Sequence, residues 1–388
     1  MAEDARQLAF KPGEYEDRLQ RVRSRMAENS IDTLVVHSPE NTYYVSGFQT
    51  PGYYMYQCLV VPLESPPFLV IRRGEIGNLK SFSFIEKYVP YVDMDDPAQV
   101  TADALVNRGL VHGRIGLELS TWFLTTRHYL TLKSALPSAE IVDASGLVER
   151  CRLIKSAPEI EYIRRACRAA EAGMSAAIDA VHEGVSDNHV AAELNRALIE
   201  AGSEYVALGP FVAPGYKSAI MHGNWGGGKI IRRGESIIVE IGGTVARYNG
   251  ALMRSVSVGE PSDELRKMAE ASEAGNWAAV QAIKPGVTAE AVHQACNDVF
   301  ARYGLLELRR GTRSGYSIGI AFPPDWGEGH VLSLRDGEQT VLEPGMVFHI
   351  PSAVRNYPTY GASFSETVLV TETGHEVLTD FERKLFVK

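Results

Sequence analysis

The sequence has few cysteines, no excess of positive charge and no long apolar run. Its four cysteines are scattered without a Cys-x-x-Cys pair, which argues against a disulfide framework and indicates buried thiols in a reducing compartment. The net charge of −9 excludes a basic footprint for nucleic acid or for an anionic membrane. No stretch reaches the roughly 20 apolar residues of a membrane helix. The N-terminus lacks a basic segment followed by an apolar run, so we expect no secretory signal and a cytoplasmic protein.

What the chain does have is room for two domains with ample core. Its 388 residues are 45% apolar and 22% charged, with 35 glycines, as in an α/β or α+β enzyme. Strand-like and helical stretches alternate up to about residue 150. The phrase Lys155-Ser-Ala-Pro-Glu then predicts a new helix, because proline and acidic residues favour a first helical turn. We therefore predict domains at residues 1–153 and 154–388.

Hydrophobic periodicity predicts the main elements of both domains. Predicted helices cover Tyr15–Asn29, 158–182, 186–202, 262–283 and Val287–Tyr303. Predicted strands cover 33–37, 58–62, 67–72, Ser236–Ile241, Ala251–Val258, Met346–Pro351 and Thr367–Thr371.

Two residues in the second domain are the strongest candidates for chemistry. Glu240 ends the apolar run Ile237-Ile-Val and precedes Ile-Gly-Gly, so loss of solvation should raise its pKa. His222 lies 18 residues earlier in a loop rich in glycine and tryptophan, and an imidazole titrates near neutral pH. The alternative is structural, with Glu240 bonded to backbone N–H groups and His222 a loop histidine bonded to the backbone.

The spacing of His222 and Glu240 resembles the start of the catalytic domain in the methionine aminopeptidase, prolidase and creatinase superfamily. The resemblance implies an α/β N-terminal domain followed by an α+β catalytic domain of the pita-bread fold. It also implies that the histidine is a proton shuttle, as in creatinase-like members. The family's acidic and histidine metal-ligand positions fall on Glu240, Ala251, Tyr316, Pro351 and Ser365. One carboxylate cannot hold a pair of divalent cations, so we expect neither a metal nor another cofactor.

The segment from Gly315 to His330 resembles that of ectoine hydrolases, metal-independent members that open a cyclic amidine. It contains Tyr316 in the position of the family's histidine, then Pro323-Pro324 and the side chains of Asp325, Trp326, Glu328 and His330. An aromatic face beside a carboxylate suits a planar cation such as an amidinium. The alternative is a rigid turn around a buried tryptophan.

Three further tyrosine or acidic positions follow from the same resemblance. Glu366 takes the place of the aspartate that follows the family's last ligand, which gives it a supporting role at the site, whereas His349 is expected to pack in the sheet. In creatinase-like dimers a loop of the N-terminal domain reaches the partner's active site, and here that loop carries Tyr53 and Tyr54. Met55 stands where creatinases have a carboxylate-binding arginine, which argues against creatine as substrate. The alternative is a tyrosine-rich interface that only packs.

These observations predict a homodimeric, metal-independent hydrolase of a non-peptide C–N bond in a small nitrogenous metabolite, with ectoine or a related compatible solute as the best candidate. Glu240, His222 and Glu328 are the predicted catalytic residues. The predicted substrate-binding residues are Tyr53, Tyr54, Tyr316, Asp325, Trp326, His330 and Glu366. Two alternatives remain: a metal-dependent Xaa-Pro dipeptidase or aminopeptidase, and a non-catalytic protein that only binds its ligand.

Overall fold

A computed structural model of the chain describes residues 6–309 and 311–388. The expectation about a secretory signal rests partly on residues 1–5, which lie outside the described residues. The chain divides into two compact units, Met1–Arg152 and Leu153–Lys388. Among the helices of the described residues, none is both long enough and apolar enough to cross a membrane.

The first unit is an α/β domain built on a six-stranded mixed sheet. Its strands are β1 (Thr33–Val36), β2 (Cys58–Pro62), β3 (Phe68–Arg72), β4 (Tyr88–Tyr91), β5 (Arg114–Leu117) and β6 (Glu140–Asp143). Its helices are α1 (Pro12–Glu28), α2 (Pro39–Ser46), α3 (Ile76–Phe82), α4 (Pro97–Asn107), α5 (Thr126–Ala135) and α6 (Leu147–Leu153). The sheet order is β4-β3-β2-β1-β5-β6. Buried residues such as Val35, Val60 and Leu105 join the sheet to its helices in one core.

The second unit is an α+β domain on a larger sheet with mainly antiparallel pairing. Its helices are α7 (Ala157–Ala180), α8 (Asp187–Glu200), α9 (Asp263–Ala282) and α10 (Ala289–Arg302). Its strands are β7 (Phe211–Pro214), β8 (Ser236–Val245), β9 (Tyr248–Ser257), β10 (Gly315–Ser317), β11 (Ser333–Leu334), β12 (Val347–Asn356), β13 (Tyr360–Val370), β14 (His375–Val377) and β15 (Phe386–Val387). The main path across the sheet is β11-β10-β12-β13-β9-β8-β7.

The helices of the second unit begin where the sequence predicts them to begin. The backbone N–H of Ser156 donates to the Glu159 carboxylate at 2.7 Å, which caps the start of α7. The side chains of Ser186, Ser262 and Thr288 accept backbone N–H groups at the starts of α8, α9 and α10. These caps satisfy N–H groups that have no partner within the helix, and they confirm the predicted helix starts to within two residues.

Side-chain alternation divides the large sheet into a helix-covered face and a cavity face. On β8, Ile237, Val239 and Ile241 pack against α7 and α8. On β12, residues such as Phe348 and Ile350 pack against α9 and α10. Because successive residues of a strand point to opposite faces, Glu240 and the odd-numbered residues of β12 lie on the other face. The candidate site is on that face.

Candidate active site

A cavity of about 910 Å³ lies in the second unit against the sheet face opposite the helices. Strands β8, β9 and β12 form one wall through Glu240, Met253, Pro351, Ala353 and Arg355. Much of the remaining lining comes from the loop before β8 and from the segments on both sides of β10, with Phe211 of β7 and His293 of α10 beside them. A concave site with a few converging charged groups is the usual form of a small-molecule site.

Glu240 sits half-buried in this wall, and no side chain or backbone group of the described residues donates a hydrogen bond to its carboxylate. Loss of solvation raises the pKa of Glu240 to about 7; the positive charge of Arg355 opposes this rise and the negative charge of Asp325 adds to it. The structural alternative, a glutamate held by backbone N–H groups, is therefore not what the structure shows. A carboxylate with this pKa can exchange a proton near neutral pH or attack an electrophilic carbon once it is ionised.

His222 lines the same cavity from the loop between β7 and β8. Its φ of +60° lies in the left-handed region, which is uncommon for a residue with a side chain and is concentrated at functional sites. Phe211 pairs with Glu240 across β7 and β8, and its ring centroid lies 6.0 Å from that of His222. Phe211 thus has both candidate catalytic residues as neighbours.

A chain of hydrogen bonds crosses the site between four residues. The Trp326 Nε1–H donates to Tyr316 Oη at 3.0 Å, and Tyr316 Oη lies 2.9 Å from His349 Nδ1. His349 Nε2 lies 2.7 Å from Ser365 Oγ. Burial lowers the pKa of His349 to about 3, so its ring is neutral at ordinary pH. With Tyr316 donating to Nδ1, the remaining ring proton is on Nε2 and points to Ser365.

Two residues of this hydrogen-bonded chain, Tyr316 and Ser365, stand at positions where the resemblance places metal ligands. The strand registers align Glu240, Met253, Ser365 and Pro351 in one row across β8, β9, β13 and β12. Of the positions corresponding to ligands, only Glu240 carries a carboxylate. Within residues 6–309 and 311–388, no three His, Cys, Asp or Glu side chains are grouped so as to hold a metal ion. The side chains at these positions therefore do not fit a pair of divalent cations.

The other cavity residues predicted from the segment after β10 differ in exposure. Asp325 and His330 are exposed on the cavity lining, and Asp325 accepts the backbone N–H of Gly327 at 3.0 Å. Tyr316 and Trp326 also line the cavity but are largely buried, with 8% and 2% of their surfaces exposed. They support the wall through the hydrogen-bonded chain and offer little open aromatic surface to a ligand.

Glu328 does not lie at the cavity, contrary to its expected catalytic role. Its carboxylate is buried, 3.2 Å from Lys155 Nζ and 3.1 Å from Ser317 Oγ. A buried ion pair is costly to break because it leaves an uncompensated charge. We therefore assign Glu328 a structural role in anchoring the segment after β10.

Glu366 likewise faces away from the cavity. It follows Ser365 in β13, and since side chains alternate, it lies on the helix-covered face. Its carboxylate is fully buried between Arg254 at 2.8 Å and Arg383 at 3.0 Å. The predicted contact with substrate is thus replaced by an ion-pair network within the core.

Tyr53 and Tyr54 belong to the first unit, in a short helical turn at Pro51–Tyr54. The Tyr53 ring packs edge-on against Phe123 with a centroid distance of 5.8 Å. The Tyr54 side chain is 76% exposed. Their predicted place at a partner's active site stays a prediction.

Arg355 lines the cavity and interacts electrostatically with Glu240, although no motif in the sequence indicates it. A signal does exist: Pro351 corresponds to a metal-ligand position, and the residue four positions later in a strand lies on the same face. The predicted strand ends at Pro351, whereas β12 continues to Asn356.

Comparison with known proteins assigns both halves of the chain to families. The Creatinase/Prolidase N-terminal domain matches residues 18–154. The Metallopeptidase family M24 matches residues 161–372. These two matches adjoin the division between the two compact units.

Individual relatives cover nearly the whole chain. An ectoine hydrolase of Halomonas elongata is 33% identical, over 98% of this chain and 99% of that protein. A Xaa-Pro dipeptidase of Pyrococcus horikoshii is 26% identical, over 95% of this chain and 98% of that protein. The crystal structure of dipeptidase PepE from Mycobacterium ulcerans superposes with a TM-score of 0.84 at 27% identity, covering 97% of this chain and 99% of the other. The predicted fold class, a creatinase-type N-terminal domain followed by a pita-bread domain, is confirmed.

Proposed function

This chain belongs to the metallopeptidase family M24, and from that premise we propose that it hydrolyses a non-peptide C–N bond, of amidine or amide type, in a small nitrogenous metabolite without a metal ion. The observation that carries the proposal is that Glu240 and His222 line one cavity, while the family's other ligand positions in this sequence hold Ala251, Tyr316, Pro351 and Ser365. Two of those residues, Tyr316 and Ser365, form hydrogen bonds with His349.

In the proposed reaction, water adds across the C–N bond. The water oxygen bonds to the carbon, and the nitrogen leaves with its electron pair and takes up a proton. Glu240 either removes a proton from the attacking water or attacks the carbon itself. In the second case the nitrogen leaves from an anhydride-type intermediate between Glu240 and the substrate carbon, and water then hydrolyses this intermediate to release the product and the free carboxylate. His222 carries the proton to the departing nitrogen.

The candidate substrate is ectoine or a related compatible solute. Ectoine is a cyclic amidine with a carboxylate, and its amidinium is cationic. The exposed carboxylate of Asp325 and the carboxylate of Glu240 both lie on the cavity lining, where they favour a cation. The ectoine hydrolase of Halomonas elongata, aligned over nearly the whole chain, supports the same choice.

The test is turnover by EDTA-dialysed protein on ectoine, 5-hydroxyectoine, creatine and several Xaa-Pro dipeptides, followed by mass spectrometry. We expect cleavage of ectoine or another non-peptide compound, unchanged by added Mn²⁺. Glu240→Gln and His222→Ala should each lower kcat by about 10²- to 10⁴-fold, since each removes a group that transfers a proton.

Two results would contradict the proposal. Cleavage of dipeptides alone, restored by Mn²⁺, would identify a Xaa-Pro dipeptidase and show that the ligand positions are misassigned. Stabilisation by ectoine without turnover would identify a protein that only binds its ligand.

A further inference from the structure

Arg355 is a cavity residue that the proposed reaction does not use. It lies on β12, two residues beyond Ala353 and four beyond Pro351, so all three side chains are on the cavity face. Its Nε is buried and has no hydrogen-bond partner, and its guanidinium forms no ion pair within 4 Å with any described residue. Loss of solvation lowers the pKa of Arg355, and Glu240 is the charge that opposes this.

The nearby arginine of the same cavity is held differently. The Arg313 guanidinium lies 4.3 Å above the centre of the Tyr316 ring and donates to Ser333 Oγ at 3.1 Å. Arg335, another lining residue, is exposed to water. Arg355 differs from both, because it is partly buried and none of the described residues makes a hydrogen bond to its guanidinium.

A desolvated guanidinium without partners is unfavourable unless another group completes its hydrogen bonds. Glu240 offsets part of the charge but makes no hydrogen bond to it, so the planar fork of N–H donors remains available. That fork matches the two oxygens of a carboxylate better than any other biological group except phosphate. Since Glu240 and Asp325 repel a second negative group, the remainder of the ligand should be neutral or cationic.

We propose that Arg355 binds the carboxylate of a zwitterionic substrate and thereby orients its C–N bond toward Glu240. This inference rests on the proposed function, because it concerns the same cavity, and it names the substrate class: a small molecule with a carboxylate at one end and a cationic nitrogen centre at the other. Creatinases bind a carboxylate through an arginine of the N-terminal loop, at the position where this chain has Met55. Arg355 supplies the corresponding guanidinium from β12.

The first experiment measures binding separately from turnover. Ectoine and its carboxamide, which lacks the negative charge, are titrated calorimetrically into full-length Glu240→Gln protein, so that hydrolysis does not interfere. We expect ectoine to bind about 10- to 100-fold more tightly than the carboxamide, as a charge-assisted pair would produce. Adding Arg355→Gln should abolish that preference and leave carboxamide binding within about twofold.

Two further variants serve as controls. Arg335→Gln removes one positive charge from an exposed residue of the same cavity lining, where water screens the charge, so it should change the ectoine preference by less than about twofold. Arg355→Lys retains the charge without the planar fork and should keep an intermediate preference. If Arg355→Gln fails to fold, the lysine variant still tests the geometry.

A second readout separates positioning from a structural effect. With Arg355→Gln in the otherwise native enzyme, the pH at which kcat/KM reaches half its maximum should move upward from about 7, because the charge that favours ionised Glu240 is gone. Arg335→Gln should leave that midpoint in place.

The outcomes distinguish the two proposals. If ectoine binding depends on Arg355 but ectoine is not hydrolysed by the native protein, the carboxylate site stands and the proposed function fails. If folded Arg355→Gln keeps the wild-type preference for ectoine over its carboxamide, Arg355 is only a counter-charge to Glu240 and the inference is overturned, whether or not ectoine is hydrolysed. Binding of neither compound contradicts both proposals for this class of substrate.

Discussion

At the scale of single residues, the site is defined by charges that lack the partners buried charges usually have. Glu240 and Arg355 face the same cavity without a hydrogen-bond partner among the described residues, whereas Glu328 and Glu366 are paired with Lys155 and Arg254 in the core. A protein gains stability by pairing such groups and gains reactivity by leaving them available to a ligand. The unpaired residues are therefore the functional candidates, and the paired ones are structural.

Glu240→Gln should stabilise the folded protein above neutral pH. The pKa of Glu240 is about 7 in the folded state, against an ordinary value of 4.5, so the folded protein binds this proton more tightly than the unfolded chain does. Its ionisation therefore lowers the free energy of unfolding as pH rises from about 4.5 to 7, and the loss persists above 7. We expect thermal denaturation at pH 8 to show a gain on the order of 1–3 kcal/mol for the glutamine variant.

The pH dependence supplies the control for this prediction. At pH 4 the glutamate is protonated in both states, so the two proteins should have the same stability. A variant that is destabilised at pH 8 would mean that the ionised carboxylate has a stabilising partner, contrary to its free position in the structure.

At the scale of elements, the close approach of Trp326 to strand β8 shapes the site. A Cβ added at Gly242 would lie 2.7 Å from Trp326 Cε3, so glycine is needed for the indole to pack there. Gly242 pairs with Ala251 on β9, and directly paired residues share a face of the sheet. The indole thus covers the face onto which an aspartate at residue 251 would point, and it donates the first hydrogen bond of the chain through Tyr316 and His349.

Gly242→Ala should displace Trp326 and destabilise the protein by about 1–3 kcal/mol, as expected for overpacking in a rigid core. Chemical denaturation measures the loss, and tryptophan fluorescence should report the change around the indole. In a protein that already carries Trp326→Leu, Gly242→Ala should cost less stability than it does in the wild type, because the clash with the indole is then absent.

Gly209→Ala is the matched control, since a Cβ there would meet no atom within 4 Å. Its stability should stay within about 0.5 kcal/mol of wild type. Equal effects of the two alanine variants would mean that backbone freedom, and not the tryptophan contact, explains the glycine at residue 242.

At the scale of the whole molecule, the two units carry different parts of the expected function. The second unit supplies the residues that the structure shows lining the cavity, while the first presents the exposed side chain of Tyr54. From the resemblance to creatinase-like dimers, we propose that the chain forms a homodimer in which this loop contributes to the partner's site. A closed twofold dimer would repeat that contribution at both sites.

Complementation between two impaired variants tests this arrangement. Tyr54→Ala and His222→Ala chains should each have low activity alone. After joint unfolding and refolding at equal amounts, half of the dimers are mixed and each has one intact site, so activity should recover to about one quarter of wild type. Sedimentation measures the oligomeric state of each sample. A mixture that stays as inactive as its components would show that Tyr54 acts within its own chain or not at all.

The sequence by itself determined the family, the fold class and where the helices of the second unit begin. Periodicity and capping are local properties, so Ser156-Ala-Pro-Glu and the apolar run before Glu240 could be interpreted without knowledge of the fold. The spacing of His222 and Glu240 is also a local property, and it indicated these two residues as candidates for chemistry. The structure places both of them in the lining of the same cavity.

Only the tertiary structure decided which charged residues face that cavity. Lys155 pairs with Glu328 across 173 positions of sequence and Arg254 with Glu366 across 112, and no local pattern announces either pair. Nor did the motifs indicate that Arg355 would line the same cavity as Glu240, because that depends on the order of the strands and on how far β12 extends. Strand alternation assigns a residue to a face, but long-range pairing decides whether the charge there is neutralised in the core or left available to a ligand.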